Sequence, residues 1–121
     1  MGREYIFRGK DKKTGEWVYG SLLQFHGFQI FELISKAWVS VNGDTIGQYT
    51  GVCDDNGRMI FEYDWVRDPK NIDRIGIVVF LDGTYYVRLN EEDLLSFEYI
   101  HTIWGGMIVS DDSIYGNGNG D

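Results

Sequence analysis

The sequence predicts a mainly β protein assembled from short antiparallel strands. Three observations lead there. No segment holds a 3.6-residue apolar period beyond about one turn. Short runs alternate at period two instead. Gly-rich turn signals separate those runs, the arrangement of a sandwich or a small barrel. The 121 residues suit one compact domain, and four Trp, eight Tyr and seven Phe supply large buried area for a core.

The elements follow in chain order. Tyr5–Gly9 sets Tyr5 and Phe7 against Ile6 and Arg8, and Glu16–Ser21 sets Trp17 and Tyr19 against Val18. The polar stretch Lys10–Gly15 joins the two runs into an expected β-hairpin. Residues 28–34 and 37–41 read as two further strands with a break at Ser35-Lys36. Asn42-Gly43 is a turn signal, because both residues tolerate positive φ. Asp44–Gly57 reads as an ordered loop with room for one short helical turn. Arg58–Val66 returns to strand character, and Pro69, the only proline, ends it. Ile75–Leu81 is apolar on both faces and predicts a central strand. Asp82-Gly83 is a type I′ turn signal, after which Thr84–Leu89 puts Tyr85, Val87 and Leu89 on one face. Residues 91–95 predict a helical turn and Tyr99–Trp104 a last strand. Residues 111–121 read as an acidic Gly/Asn-rich tail beyond a domain of residues 1–110.

Composition narrows the function classes. The net charge of −8 disfavours nucleic acid, since affinity for phosphate backbones comes from Lys and Arg displacing counterions. The charge is uneven. Arg3, Arg8, Lys10, Lys12 and Lys13 make the start basic and mark a possible binding surface. Residues 89–121 contain no Lys or Arg but hold Glu91, Glu92, Asp93, Glu98, Asp111, Asp112 and Asp121. A basic head and an acidic end suggest contact between copies of the chain, or with another protein. The single Cys53 forms no intrachain disulfide, which points to a reducing cytoplasm. No apolar run approaches the roughly 20 residues of a membrane span, and no membrane association is expected.

Residues 44–66, DTIGQYTGVCDDNGRMIFEYDWV, carry a family resemblance. Thr45, Gly47, Gln48, Tyr49, Thr50, Gly51, Asp54, Asn56, Gly57, Ile60, Phe61, Glu62, Asp64 and Val66 match the central pattern of the YopX family of small phage and prophage proteins. Arg3–Leu23 resembles the family's opening. Tyr63 stands where the family usually has Gly, and the C-terminal pattern differs. The resemblance implies an SH3-like barrel over about residues 57–104 and a bacterial host cytoplasm; the chain's own Gly-rich stretch near 44–57 reads as a soft division within one domain. It carries over no catalytic residue and no cofactor.

The remaining constellations are weak as chemistry. A calcium loop with Gly57 at its sixth position puts Val52 first and Tyr63 twelfth, where carboxylates are needed. Cys53, His26 and His101 lack any spacing for nucleophilic catalysis or zinc. His26 is expected in a turn and His101 on the outside of the last strand. Glu62 and Asp64 would share the solvated face of one strand, with Tyr63 turned to the core and Arg58 or Arg67 as an ion-pair partner. Gly47, Gln48, Tyr49, Thr50, Gly51, Asn56, Gly57, Glu62 and Asp64 therefore read as a structural motif. For the basic N-terminal hairpin the preferred reading is a buried aromatic face with a charged rim. The alternative is one exposed surface shared by aromatics and cations, of the kind that takes nucleic acid. The leading expectation is a non-enzymatic, protein-binding phage-type protein.

Overall fold

The computed structural model describes residues 5–90, 93–103 and 106–109. Two compact units divide the chain, Met1–Gly51 and Val52–Asp121. The architecture is mainly antiparallel β, as the period-two runs predict.

In the N-terminal unit β1 (Phe7–Lys10), β2 (Trp17–Gln24), β3 (Phe28–Glu32) and β4 (Trp38–Val41) form an antiparallel meander. β5 (Gly47–Cys53) pairs with β1 on its other side, through Phe7↔Gln48 and Arg8↔Gly47. The meander curls until its ends meet. Asp11, just after β1, bridges Val41 of β4, with Lys12 N–H donating to the Ser40 carbonyl and Asn42 N–H to the Lys10 carbonyl, both at 3.0 Å. Gly20 permits that curl: a Cβ there would sit 1.9 Å from the Phe31 carbonyl oxygen, so no larger residue fits. The concave side buries Val18, Ile30 and Val41, backed by Phe7, Leu22, Phe28, Val39 and Ile46.

Two turns differ from the sequence expectation. Asn42-Gly43 is no positive-φ pair. Asn42 has φ −74° and precedes a 3-10 turn, Gly43–Thr45. The Thr45 hydroxyl donates to the Asn42 carbonyl at 2.6 Å and accepts Lys10 N–H at 2.8 Å, so the side chain of a short residue sets the local backbone. The stretch read as a loop after Asp44 is strand β5 from Gly47 onward, because its backbone pairs with β1.

The C-terminal unit contains β6 (Met59–Phe61), β7 (Trp65–Asp68), β8 (Asn71–Leu81), β9 (Thr84–Arg88), β10 (Leu94–Ser96), helix α1 (Phe97–Ile103) and β11 (Ile108–Val109). Its five-stranded sheet runs β10-β9-β8-β7-β11. β8 is central, as its apolar faces predict. The β8–β9 hairpin turns at Asp82-Gly83 with φ of 50° and 83°, the positive pair a type I′ turn requires. The strand order is open among the described residues, so the expected SH3-like barrel is not closed. The edge strands β10 and β11 have only three and two residues, and the chain between them enters α1. The helix supplies Ile100 to a core of Ile60, Val66, Val78, Val87, Met107 and Val109. A helix thus packs where a closing strand was expected.

That helix corrects two sequence readings. Of the helical turn expected at 91–95, Leu94 and Leu95 are strand, and of the strand expected at 99–104, residues 99–103 are helix; residues 91, 92 and 104 lie outside the described residues. The Ser96 hydroxyl accepts Tyr99 N–H at 3.1 Å, an N-cap that starts the helix. His101 accordingly belongs to a helix. Among the described residues no helix is long and apolar enough to cross a membrane.

Candidate binding face

The outer side of the N-terminal meander gathers the basic and aromatic residues. Strand alternation dictates which. Gly9↔Val18 and Phe7↔Gly20 point toward the concave core, so Arg8↔Tyr19 and Lys10↔Trp17 share the opposite face. Continuing the register, Ser21↔Phe31 and Phe31↔Trp38 extend that face onto β3 and β4. Val18 and Gly20, not the aromatic Trp17 and Tyr19, are the buried residues of β2. The buried aromatic face with a charged rim therefore holds for Phe7 but not for Trp17 or Tyr19. Those two lie with the cations on the outside.

The contacts are specific. The Arg8 guanidinium carbon lies 4.3 Å from the centroid of the Trp17 ring and the Lys10 ammonium nitrogen 5.1 Å from it. Both are within cation–π range, which holds two positive charges against one half-buried indole. The rings of Phe31 and Trp38 meet at 5.1 Å and 58°, and Trp38 is 51% exposed. The seam joins these clusters. Lys12 is bonded to Ser40, and Trp38 lies two residues from Ser40 on the same face, about 7 Å along the strand. The β3–β4 turn projects beside it. Lys36 N–H donates to the Glu32 carbonyl and the Ser35 hydroxyl to the Glu32 carboxylate, fixing a turn with Ile34 90% exposed at its tip. Lys12 and Lys13 are exposed in the β1–β2 turn. Arg3 lies outside the described residues.

The predicted structural motif lies elsewhere in the fold and does different work. Gly47, Gln48, Tyr49 and Thr50 are residues of β5; Tyr49 and Thr50 are buried. Gly51 has φ +91°, a left-handed conformation that favours glycine. Asp54 is 6% exposed. Its Oδ1 accepts Asn56 N–H at 2.9 Å and Arg58 N–H at 2.8 Å, and its Oδ2 accepts Val109 N–H at 3.1 Å. It closes the turn that contains Asn56 and Gly57 and ties that turn to β11. Its oxygens serve backbone donors, which is a structural use.

Glu62 and Asp64 do not share a strand face. β6 ends at Phe61, and residues 62–64 form a turn. Asp64 is buried and accepts Phe61 N–H at 2.8 Å, so the expected solvated carboxylate is a turn staple. Tyr63 has φ +75° and is 51% exposed, rather than facing the core. The negative charge of Glu62, then burial, then a hydrogen bond to Glu62 raise the Tyr63 hydroxyl above the ordinary tyrosine pKa. Cys53 is exposed at the end of β5, and His26 sits in the β2–β3 turn with φ 53°. The structure leaves them in different elements.

The profile of the family described as YopX protein matches residues 6–109. The chain belongs to the YopX family. No curated protein matches it. The part of the YopX pattern quoted above now has a physical reading. Its Asp54 and Asp64 are hydrogen-bonded turn closers, and its Gly51 is a left-handed residue inside a strand. In the second turn this chain holds Tyr63 in a left-handed conformation, the kind that favours glycine.

Proposed function

We propose that this YopX-family chain is a non-enzymatic binding module whose ligand is another protein, and that it serves as a phage- or prophage-type accessory protein in a bacterial cytoplasm. One observation carries the reading. The outer face of the N-terminal unit carries the exposed Trp38 and the Arg8–Trp17–Lys10 cluster, with Lys12 bonded to Ser40 along the seam between them. Aromatic anchors with a cationic border are what protein interfaces concentrate their energy on. Two carboxylates of the sequence motif, Asp54 and Asp64, hold turns through backbone N–H groups, which supports a structural rather than a catalytic use. Nucleic acid is the second reading, since Tyr19 and Trp38 offer ring faces for bases. It is weaker because Trp17 already holds two cations against its ring and the net charge of −8 repels polyphosphate.

The test is capture from bacterial lysate by the wild-type chain and by a Trp38→Ala/Lys12→Ala variant, each with and without nuclease. A protein retained after nuclease and lost with the variant is the expected result. Capture abolished by nuclease selects the nucleic-acid reading, and capture indifferent to the variant removes this face from the account.

A further inference from the structure

We propose that the ligand of the aromatic–basic face is the acidic β10–α1 edge of a second copy of the chain, in a head-to-tail contact. This rests on the protein-binding reading and names the partner. The argument is complementarity between two described surfaces. On the C-terminal unit β10 is an edge strand of its sheet and leads directly into α1. Leu94 and Tyr99 are 42% and 48% exposed there, flanked by the exposed carboxylates Asp93 and Glu98. Local bonds hold this edge in shape: the Asn90 amide donates to Asp93 Oδ2 at 3.0 Å, and Ser96 caps α1 at Tyr99. On the N-terminal unit the matching surface is inverted in charge, with Lys12 bonded to Ser40 two residues from Trp38, and Lys10 on Trp17 of the same face.

Sequence charge separates the two surfaces as well. Residues 89–121 include no Lys or Arg, although the exposed Arg88 lies opposite Leu94 on this edge, while Lys10, Lys12 and Lys13 fall within four positions. Like surfaces therefore repel and unlike surfaces attract, so the face of one copy is set against the edge of another, and the contact proposed is heterologous. A heterologous contact leaves one face and one edge open at the ends, so it closes into a ring or continues. The contact also weakens with salt, because the screening length falls from ~30 Å at 0.01 M to ~3 Å at 1 M.

Sedimentation equilibrium on two variants decides it. Lys12→Ala/Trp38→Ala removes the face, and Glu98→Ala/Tyr99→Ala removes the edge. Each alone should weaken self-association about tenfold or more, as loss of a central aromatic anchor does. Mixed together, the edge of the first and the face of the second remain intact. The mixture should form a one-to-one complex at twice the 14.0 kDa chain mass and stop there. Should either paired change unfold the chain, Lys12→Ala and Glu98→Ala alone, both at exposed sites, carry the same comparison. A wild-type chain that stays at 14.0 kDa in low salt overturns the proposal. So does an oligomer indifferent to both variants, or a mixture that does not recover association. A wild-type chain that does not self-associate, with lysate capture still dependent on Trp38, would reject the second copy as partner and leave the protein-binding reading standing.

Discussion

The two units of this chain use charge in opposite ways. The N-terminal unit, residues 1–51, has six Lys/Arg against five Asp/Glu, a net of +1, and displays cations on its outer face. The C-terminal unit, residues 52–121, has five against fourteen, a net of −9. Yet three of its carboxylates, Asp54, Asp64 and Asp68, are buried, each accepting a backbone N–H. A buried carboxylate that accepts backbone donors stabilises a turn. A cation held against the half-buried Trp17 indole on the outer face is, in the proposed reading, positioned for a partner. The acidic composition of the C-terminal unit is thus partly internal, and the fraction left outside, Asp93 and Glu98 included, is what a ligand would meet.

The comparison breaks most sharply at Gly20. Gly20→Val forces a side chain into the Phe31 carbonyl oxygen, and the curl of the meander has no room to yield. We expect a loss of more than about 3 kcal/mol, read in a denaturant melt. A loss under about 1 kcal/mol would show that the sheet opens readily. Next is Asp54→Ala, which leaves three backbone donors without their acceptor in a buried site and should cost about 3 kcal/mol. Glu98→Ala, at an exposed carboxylate, should stay within about 0.5 kcal/mol. Equal effects at the two sites would erase the distinction between structural and surface carboxylates.

These contrasts also mark what was legible in the sequence. The β1–β2 and β8–β9 hairpins were, because alternation and turn residues are local signals. The role of Asp54 was not: one of its donors, Val109, is 55 residues away. Alternation at Trp17-Val18-Tyr19 identified two faces without saying which is inside, since aromatics are at home in either. The register with Gly9 and Gly20 decides it. The α1 start had a signal that was available, Ser96 three residues before Tyr99. The binding face needed the β1–β4 seam, which brings Lys12 to Ser40 from opposite ends of the meander.

Smaller effects sharpen the same contrast. At Gly51 an added Cβ meets nothing within 4 Å, so Gly51→Val should cost only its backbone strain, about 1–3 kcal/mol in the melt. Tyr63→Gly works in the other direction. Relief of the left-handed conformation gains about 1–2 kcal/mol, and the freer unfolded chain returns about 0.5–1 of it. A small net stabilisation is expected, and a clear destabilisation would mean that the ring makes contacts the fold depends on. The smallest effect is on pH. The folded pKa of Tyr63 is raised, so its contribution is present below the unfolded tyrosine value and lost as pH rises through the folded one. Glu62→Gln should lower the pKa read by ultraviolet titration of the tyrosine, because the neighbouring negative charge is its largest cause.

The central claim is that the outer face of the N-terminal unit is the surface that binds. Nuclear magnetic resonance of the tryptophan indole N–H groups tests it most directly, with Trp17→Phe and Trp38→Phe spectra assigning the signals. The account predicts that the Trp17 and Trp38 signals shift together with backbone amides of residues 93–99 as protein concentration rises in low salt, and that molar salt reverses the shifts. Signals of Trp17 and Trp38 that stay fixed while other residues respond would contradict it.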